Sequence, residues 1–346
     1  MAHTSQQARH REVIRRRADT PLIAQVFAAL SRGGFHSGSA LAQELGVSRG
    51  AVWKAATGLK DLGLTVHAVR NRGYRLPERC EPLDAERIRA QLADVRTHVR
   101  DLQALWSIPS TNASLLARTD LPVGSADVLL AEYQTAGRGR RGRHWLAPPG
   151  GAICLSLSWN FPQVPPDLGA LGLAIGVCAL RALQPRVQQK LTLKWPNDLL
   201  ADGRKLGGIL IELRAESSGP AYVVVGVGIN VVLGAALLEA IAATGVTAID
   251  LKSAGADPVP RNAMVGDLVS AIVPGLRTFE REGLRPFAEA WSRADALAGR
   301  AVHVLSGNER IEGIARGIDP GGALLVETAQ GPRRFLSGDV SIRPAT

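Results

Sequence analysis

Residues 134–145, QTAGRGRRGRHW, decide how this chain is read. They follow the apolar run Val128-Leu129-Leu130-Ala131 and precede another at residues 153–159, so they form a loop between two buried strands. Gly137, Gly139 and Gly142 let the backbone approach a ligand closely. Arg138, Arg140, Arg141 and Arg143 supply permanent charge and forked donors that match a carboxylate or phosphate. Trp145 adds a large apolar face. Such a loop suits an anion and would be a poor core. Long disordered arginine–glycine segments also exist, but they lack apolar flanks. The loop is not a phosphate loop of the GxxxxGK[ST] type. It is not a dinucleotide fingerprint either, because no amphipathic helix follows.

The bulk properties bound the rest. A chain of 346 residues, 46% hydrophobic and 21% charged, predicts an ordinary globular protein of two or three domains. The longest weakly polar run, residues 168–180, is too short for a membrane span of about 20 residues and reads as a core helix. The basic N-terminus has no apolar segment of a secretory signal. Cys80, Cys154 and Cys178 are scattered, without CxxC pairing, which argues against a zinc site or disulfide framework and for a reducing cytoplasm. No metal site is expected from protein side chains alone. The net charge of +10 is uneven. Residues 1–79 hold 13 Lys/Arg against 5 Asp/Glu, a balance of +8, and the remainder hold 28 against 26. The excess therefore belongs to an N-terminal module and fits a polyanion.

Residues 1–19 read as a basic arm, and residues 20–79 as a winged helix-turn-helix. Thr20 and Pro21 signal the first helix, Ser39 caps a second ended by Gly46, and Ser48 caps a third. A hairpin with Arg70 and Arg72 at its tip forms the wing. Ser48, Arg49, Lys54, Arg70 and Arg72 are the candidate DNA-contacting residues, since they occupy the expected recognition helix and wing. A helical module that binds only protein is the bland alternative, and the charge argues against it. Trp53 reads equally well as core or surface.

Pro77 and Pro82 bracket a linker, and residues 84–297 form the next domain. Ser110-Thr111-Asn112 opens a helix, either as a cap or with these groups facing a polar ligand. In residues 191–200, LTLKWPNDLL, an alternating strand runs into a rigid turn at Lys-Trp-Pro-Asn-Asp. Residues 206–212 return from Gly203-Arg204-Lys205, so that Lys194, Asp198 and Lys205 lie close together. Gly207 and Gly208 weaken that strand unless something must approach its backbone. A further apolar strand ends at Gly228-Ile229-Asn230. From residue 298 to 346 short alternating strands predict a small SH3-like β-barrel. The expected class is an α+β multidomain protein.

Together Ser110-Thr111-Asn112, residues 133–145, KWPND at 194–198, and residues 204–212 and 226–230 resemble biotin–protein ligases. FHSGSALAQELGVSRGAVWK at 35–54 and RGYRLPE at 72–78 resemble the DNA-binding domain of the family's bifunctional, repressor-type members. Ala315-Arg316-Gly317-Ile318-Asp319 and Gly322-Ala323-Leu324-Leu325 resemble its C-terminal domain. The resemblance covers nearly the whole chain. It implies a central α/β mixed-sheet domain that adenylates biotin with ATP and Mg2+, then transfers the biotinyl group to a lysine of a biotin carboxyl carrier protein. It also implies a ligand-promoted homodimer that binds duplex operator DNA and represses biotin-synthesis genes.

By carry-over, Arg138, Arg140 and Lys205 are the catalytic candidates, neutralising the two reacting anions. Trp145, Gly208 and Leu210 supply apolar walls, and Ser110, Thr111, Asn112 and Gln134 polar contacts. Gly137, Gly139, Lys194, Asn197, Asp198 and Asn230 complete the expected biotin and adenylate site. One departure is Val246, where repressor-type relatives can carry a tryptophan on the adenine. Its loss implies weaker adenylate retention. Lipoate–protein ligases and a non-catalytic biotin-sensing repressor are the two alternatives. The first would lack the GRGRRG loop, and the second would be expected to lose Arg140 or Lys205.

Overall fold

A computed structural model describes residues 20–92, 94–215, 219–306, 309–336 and 340–344. The basic arm expected at 1–19 lies outside them. The chain divides into two compact units.

The first unit holds three helices and a hairpin. Helix α1 (Leu22–Leu30) buries Val26, Phe27 and Leu30, α2 (Gly38–Leu45) buries Leu41 and Ala42, and α3 (Arg49–Asp61) buries Val52, Ala55, Ala56 and Leu59. Ser48 caps α3, its hydroxyl accepting from Ala51 N at 3.1 Å. Gly46 ends α2 in the left-handed region at φ 68°, where a side chain would be strained. Two cap assignments from sequence are corrected. Ser37, not Ser39, caps α2, because Ser37 is the last extended residue and its hydroxyl accepts from Ala40 N at 3.0 Å. At α1 the cap position is held by Pro21, in an extended conformation without a side-chain cap, and Thr20 lies outside the helix. The wing consists of β1 (His67–Val69) and β2 (Gly73–Arg75), paired antiparallel. It is tied to the α1–α2 linker by reciprocal His36–Tyr74 backbone bonds of 2.9 Å. A Cβ on Gly73 would collide with the His36 carbonyl, which explains that glycine.

The second unit is built on a seven-stranded mixed sheet. Its strands are β3 (Val99–Ile108), β4 (Ala126–Gln134), β5 (Ala152–Phe161), β6 (Leu191–Lys194), β7 (Asp198–Ala201), β8 (Arg204–Ala215) and β9 (Ala221–Asn230). Their order is β3-β4-β5-β9-β8-β7-β6, with β3–β4 parallel and the other pairs antiparallel. The expected turn at residues 194–198 is present, and it is followed by a second short strand, β7. The turn around Trp195-Pro196-Asn197 reverses the chain and places Lys194 opposite Asp198.

Period two then divides the sheet. Ile153, Leu155, Leu157, Trp159 and Phe161 of β5, with Val223, Val225, Val227 and Ile229 of β9, enter one apolar core. The helices that cover this face include α6 (Leu171–Leu183), α8 (Arg261–Glu282) and α9 (Arg285–Ala294). Residues 168–186 are long and apolar enough to cross a membrane by composition. In the fold they form the central core helix, with Leu171, Ile175 and Leu183 fully enclosed. The alternate residues Cys154, Ser156, Ser158, Tyr222, Gly226, Gly228 and Asn230 take the other face. There the short helix α5 (Thr111–Leu116) packs Leu115 against Leu129, Tyr222 and Val224.

The C-terminal domain is a five-stranded antiparallel sheet of SH3-like type, formed by β10 (Ala301–Ser306), β11 (Glu309–Ile318), β12 (Leu324–Thr328), β13 (Gly331–Phe335) and β14 (Val340–Pro344). It is joined to the larger sheet by the buried Trp195 indole, which donates to Gly322 O at 3.0 Å.

Asp127 on β4 is wholly enclosed, yet it is bound by Arg100 at 2.5 Å and Arg118 at 2.7 Å. Burial alone would raise its pKa, but hydrogen bonds and charge from the two arginines outweigh that and hold it below 3.8. A depressed folded-state value contributes stability above the unfolded value, lost as pH falls through the folded one. Asp127→Asn is expected to cost about 2–3 kcal/mol at neutral pH, less than a fully buried pair because Arg100 and Arg118 stay 33% and 26% exposed. In chemical denaturation the gap from wild type should close as the pH is taken below 3.8.

Candidate functional site

The glycine-bearing face of the large sheet forms the floor of a cavity of about 1170 Å³. A Cβ on Gly226 would press into the Asn112 amide, and one on Gly228 would lie 2.9 Å from the Trp145 ring. The two glycines let Asn112 and Trp145 close against the sheet at the cavity floor. Gly207, one residue out of phase, is explained differently: its Cβ would meet Gly228 O and Ile229 of the neighbouring strand at 2.5 Å.

One end of the cavity is a polar network. Gln134 Oε1 accepts from Thr111 N at 2.8 Å and from Thr111 Oγ1 at 3.1 Å. The Ser156 hydroxyl lies 2.7 Å from Thr111 Oγ1 and 2.5 Å from Asn112 Oδ1, with one proton to serve both. Asn112 Nδ2 donates to Glu212 at 2.9 Å. Ser110 caps α5 through its hydroxyl, as the first of its two sequence readings has it, and it also lines the cavity.

The glycine–arginine loop forms one wall. It folds on itself through Gly139 N to Arg143 O at 2.7 Å and Trp145 N to Gly137 O at 3.0 Å. The Trp145 ring lies over Gly228, and its buried indole N–H has no partner among the described residues. Arg138, at the rim, reaches Glu212 at 3.4 Å, and Arg140 reaches Asn197 Oδ1 at 3.2 Å. Burial pushes the Arg140 guanidinium below its ordinary value, Asp198 opposes this, and the like charges of Arg141 and Arg143 add to it. Arginine remains a cation under such a shift. A half-buried cation crowded by two others is a place that an anion would relieve.

Opposite the loop, Lys205 Nζ lies 2.5 Å from Asp198 Oδ1. Lys194 pairs across from Asp198 in the β6–β7 register, so Lys194, Asp198 and Lys205 do converge. Gly208 faces the cavity beside them, where a Cβ would stand 3.5 Å from the Lys205 ammonium. Asn230 reaches Lys205 O at 3.3 Å and Ile249 O at 2.9 Å, and Lys205 N donates to Thr247 O at 2.8 Å. The Lys205 backbone is therefore stapled to the loop around Val246. That loop and Ile241 form an aliphatic wall.

Of the site residues expected from sequence, all but Gly137 line the cavity, including Gly139, Asn197 and Leu210. Gly137 serves the loop instead: its Cβ would stand 2.6 Å from Trp145 O. Sequence reading missed Ser156 and Glu212. The signal for Ser156 was present, because Cys154, Ser156 and Ser158 are the polar half of an alternating strand. Burial pushes the Cys154 thiol up to about 11, so it sits there as a neutral group. Asp295 and Arg300, after α9, also line the cavity and carried no local signal.

In the first unit Arg49 and Lys54 are exposed on α3, and Arg70 and Arg72 on the wing. Ser48 spends its hydroxyl on the cap. Arg72 is held with its guanidinium 4.0 Å over the Phe35 ring. Trp53 is 61% exposed, which resolves its ambiguity in favour of the surface.

Comparison with known proteins agrees with this division. Residues 24–75 match an HTH domain, 106–230 the Biotin/lipoate A/B protein ligase family, and 298–343 the Biotin protein ligase C terminal domain. The chain is 38% identical over 327 residues to the Bifunctional ligase/repressor BirA of Salmonella typhimurium, covering 94% of this chain and 99% of the relative. It is 34% identical to the Biotin--[acetyl-CoA-carboxylase] ligase of Mycobacterium tuberculosis over 75% of this chain and 95% of that one. Among solved structures, the Aquifex aeolicus biotin protein ligase in complex with biotin and ATP superposes with a TM-score of 0.59 at 26% identity, covering 71% of this chain and 100% of that one. With the winged helix, the mixed-sheet cavity and the C-terminal sheet all in place, the chain belongs to the biotin–protein ligase family, in its bifunctional ligase/repressor form.

Proposed function

We propose that the cavity between the glycine–arginine loop and Lys205 is where biotin is activated by ATP and passed to a carrier protein. The observation that carries this reading is the convergence of Arg140, Lys194 and Lys205 at one end of a space whose other end is a hydrogen-bonding network of hydroxyl and amide groups. The cationic end suits the meeting of a carboxylate and a triphosphate, and the polar end with the Trp145 wall suits a ureido ring system. A biotin carboxylate oxygen attacks the α-phosphorus and pyrophosphate leaves. The carrier lysine's amine then attacks the acyl carbon of the mixed anhydride, giving an amide and releasing AMP. Arg138, Arg140 and Lys205 disperse the charge that builds on the phosphate oxygens. Asp198 holds the Lys205 ammonium in place until the nucleotide arrives.

Magnesium would enter with ATP, held by phosphate oxygens and water. Among the described residues no group of three His, Cys, Asp or Glu could hold a metal alone. In this reading residues 20–79 bind an operator, residues 84–297 catalyse and residues 298–346 complete the ligase. The adenylate promotes a homodimer, and all of this takes place in the cytoplasm. The aliphatic wall at Ile241 and Val246 offers the adenine no aromatic face, which favours weaker adenylate retention.

The purified protein, given ATP, biotin and a carrier domain, is expected to add one biotinyl group to the carrier, seen by intact mass, with biotin-dependent pyrophosphate release. Biotin binding without either product would favour the sensing repressor. Lys205→Ala should slow adenylate formation about 10- to 1000-fold, the scale of losing one preorganised charge donor, while thermal unfolding stays close to wild type. An unchanged rate would remove Lys205 from the mechanism.

A further inference from the structure

We propose that Trp53 is the residue with which the N-terminal domain reads base sequence, its indole lying in the DNA major groove against the C5-methyl group of thymine. The proposal rests on the operator-binding reading above and adds what that reading leaves open, the group that discriminates bases.

Trp53 is 61% exposed one turn into α3, beside the inward-facing Val52, which is fully buried. Its neighbours on the outer side of the helix are Arg49, Gly50 and Lys54. The charge around it is one-sided. Residues 20–79 contain eight Lys/Arg and three Asp/Glu, and of those acids Glu44 is paired with Arg32 at 2.8 Å. Exposed cations on α3 and on the wing are placed to meet phosphates, which fix position without carrying sequence information. An indole brings one N–H and no charge to a phosphate, and most of its surface is apolar.

Gly50 is the second observation. Glycine in a helix weakens it, and a side chain at this position would meet nothing inside the protein nearer than the Ser48 hydroxyl at 3.8 Å. Gly58 on the same helix is different, since its Cβ would stand 3.1 Å from Ile23. The backbone at Gly50 is therefore open to approach from outside the protein, three residues before the exposed indole. In the major groove the thymine methyl is the distinctive apolar group, whereas an arginine at this position would select guanine. The first turns of a recognition helix are the ones that reach base edges.

The test uses the full chain with biotin and ATP. Sites are selected from randomised duplexes, and each thymine of the selected site is then replaced by deoxyuridine, which removes only the methyl group. Wild type is expected to lose about fourfold in affinity at one thymine per half-site, the worth of one buried methyl. Trp53→Ala should show no such loss there and no base preference at that position, with an unchanged salt slope. Trp53→Phe should keep part of both effects. Since Trp53 is exposed, the unfolding transition of either variant should match wild type. A Trp53→Ala protein with wild-type preferences and wild-type deoxyuridine penalties would overturn the proposal. So would a loss equal on every duplex, or a change in oligomeric state, which would make the indole a contact between copies. If wild type selects no sequence at all, the operator reading falls together with the proposal; a selected sequence indifferent to Trp53 removes only the proposal.

Discussion

The alternation of side chains along β5, β8 and β9 is the constraint on which the large cavity depends. A strand can present different chemistry to its two sides only in steps of two residues. Here one side carries valine, isoleucine and leucine, and the other carries glycine, serine and asparagine. The aliphatic side, covered by three helices, gives a rigid backbone. The opposite side can then leave out side chains without collapsing. A slip of one residue in the β5–β9 register would send Val225 and Val227 into the cavity and Gly226 into the core. Register and ligand space are one specification.

The charged end of the cavity is maintained in a related way. Lys205, Asp198, Arg140 and Asn197 lie on three separated segments, and each is held by backbone bonds as well as by its side chain. Asn197 shows this most clearly. Its main-chain oxygen accepts from Ile209 N at 2.9 Å and its Nδ2 donates to Ile209 O at 2.7 Å, while its side-chain Oδ1 accepts from Arg140. The turn thus positions a cation of the opposite loop. Asn230 does the same for the Lys205 strand and the Val246 loop. The amides act as joints between segments, which leaves the ammonium and guanidinium groups to face the cavity.

Much of this was legible before any coordinates. The Ser48 cap, the Gly46 stop and the glycine–arginine loop are local chemistry, and local chemistry is written in neighbouring residues. The KWPND turn is legible in the sequence, but β7 after it is not, because Leu199, Leu200 and Ala201 are all buried and show no alternation. The helix cap at Ser37 was assigned two residues late, since two serines flank Gly38 and either could serve. Ser156, Glu212 and Asp295 were missed for a different reason. Glu212 and Asp295 gain their places through contacts with residues far along the chain, and nothing in their own neighbourhoods announces them; at Ser156 the alternation of β5 is a local signal, and only its partners Thr111 and Asn112 are distant.

The floor of the cavity has one position unlike the others. Side chains at Gly226 and Gly228 would displace Asn112 or Trp145, so those glycines are fixed by the protein itself. At Gly208 an added methyl would rest 3.5 Å from Lys205 and 3.7 Å from Asp198, at ordinary contact distance. The protein could accept it, and the change would be felt first by whatever occupies the space beside the Lys205 ammonium. Gly208 is therefore a position where a single added carbon would alter the space beside the Lys205 ammonium independently of the fold.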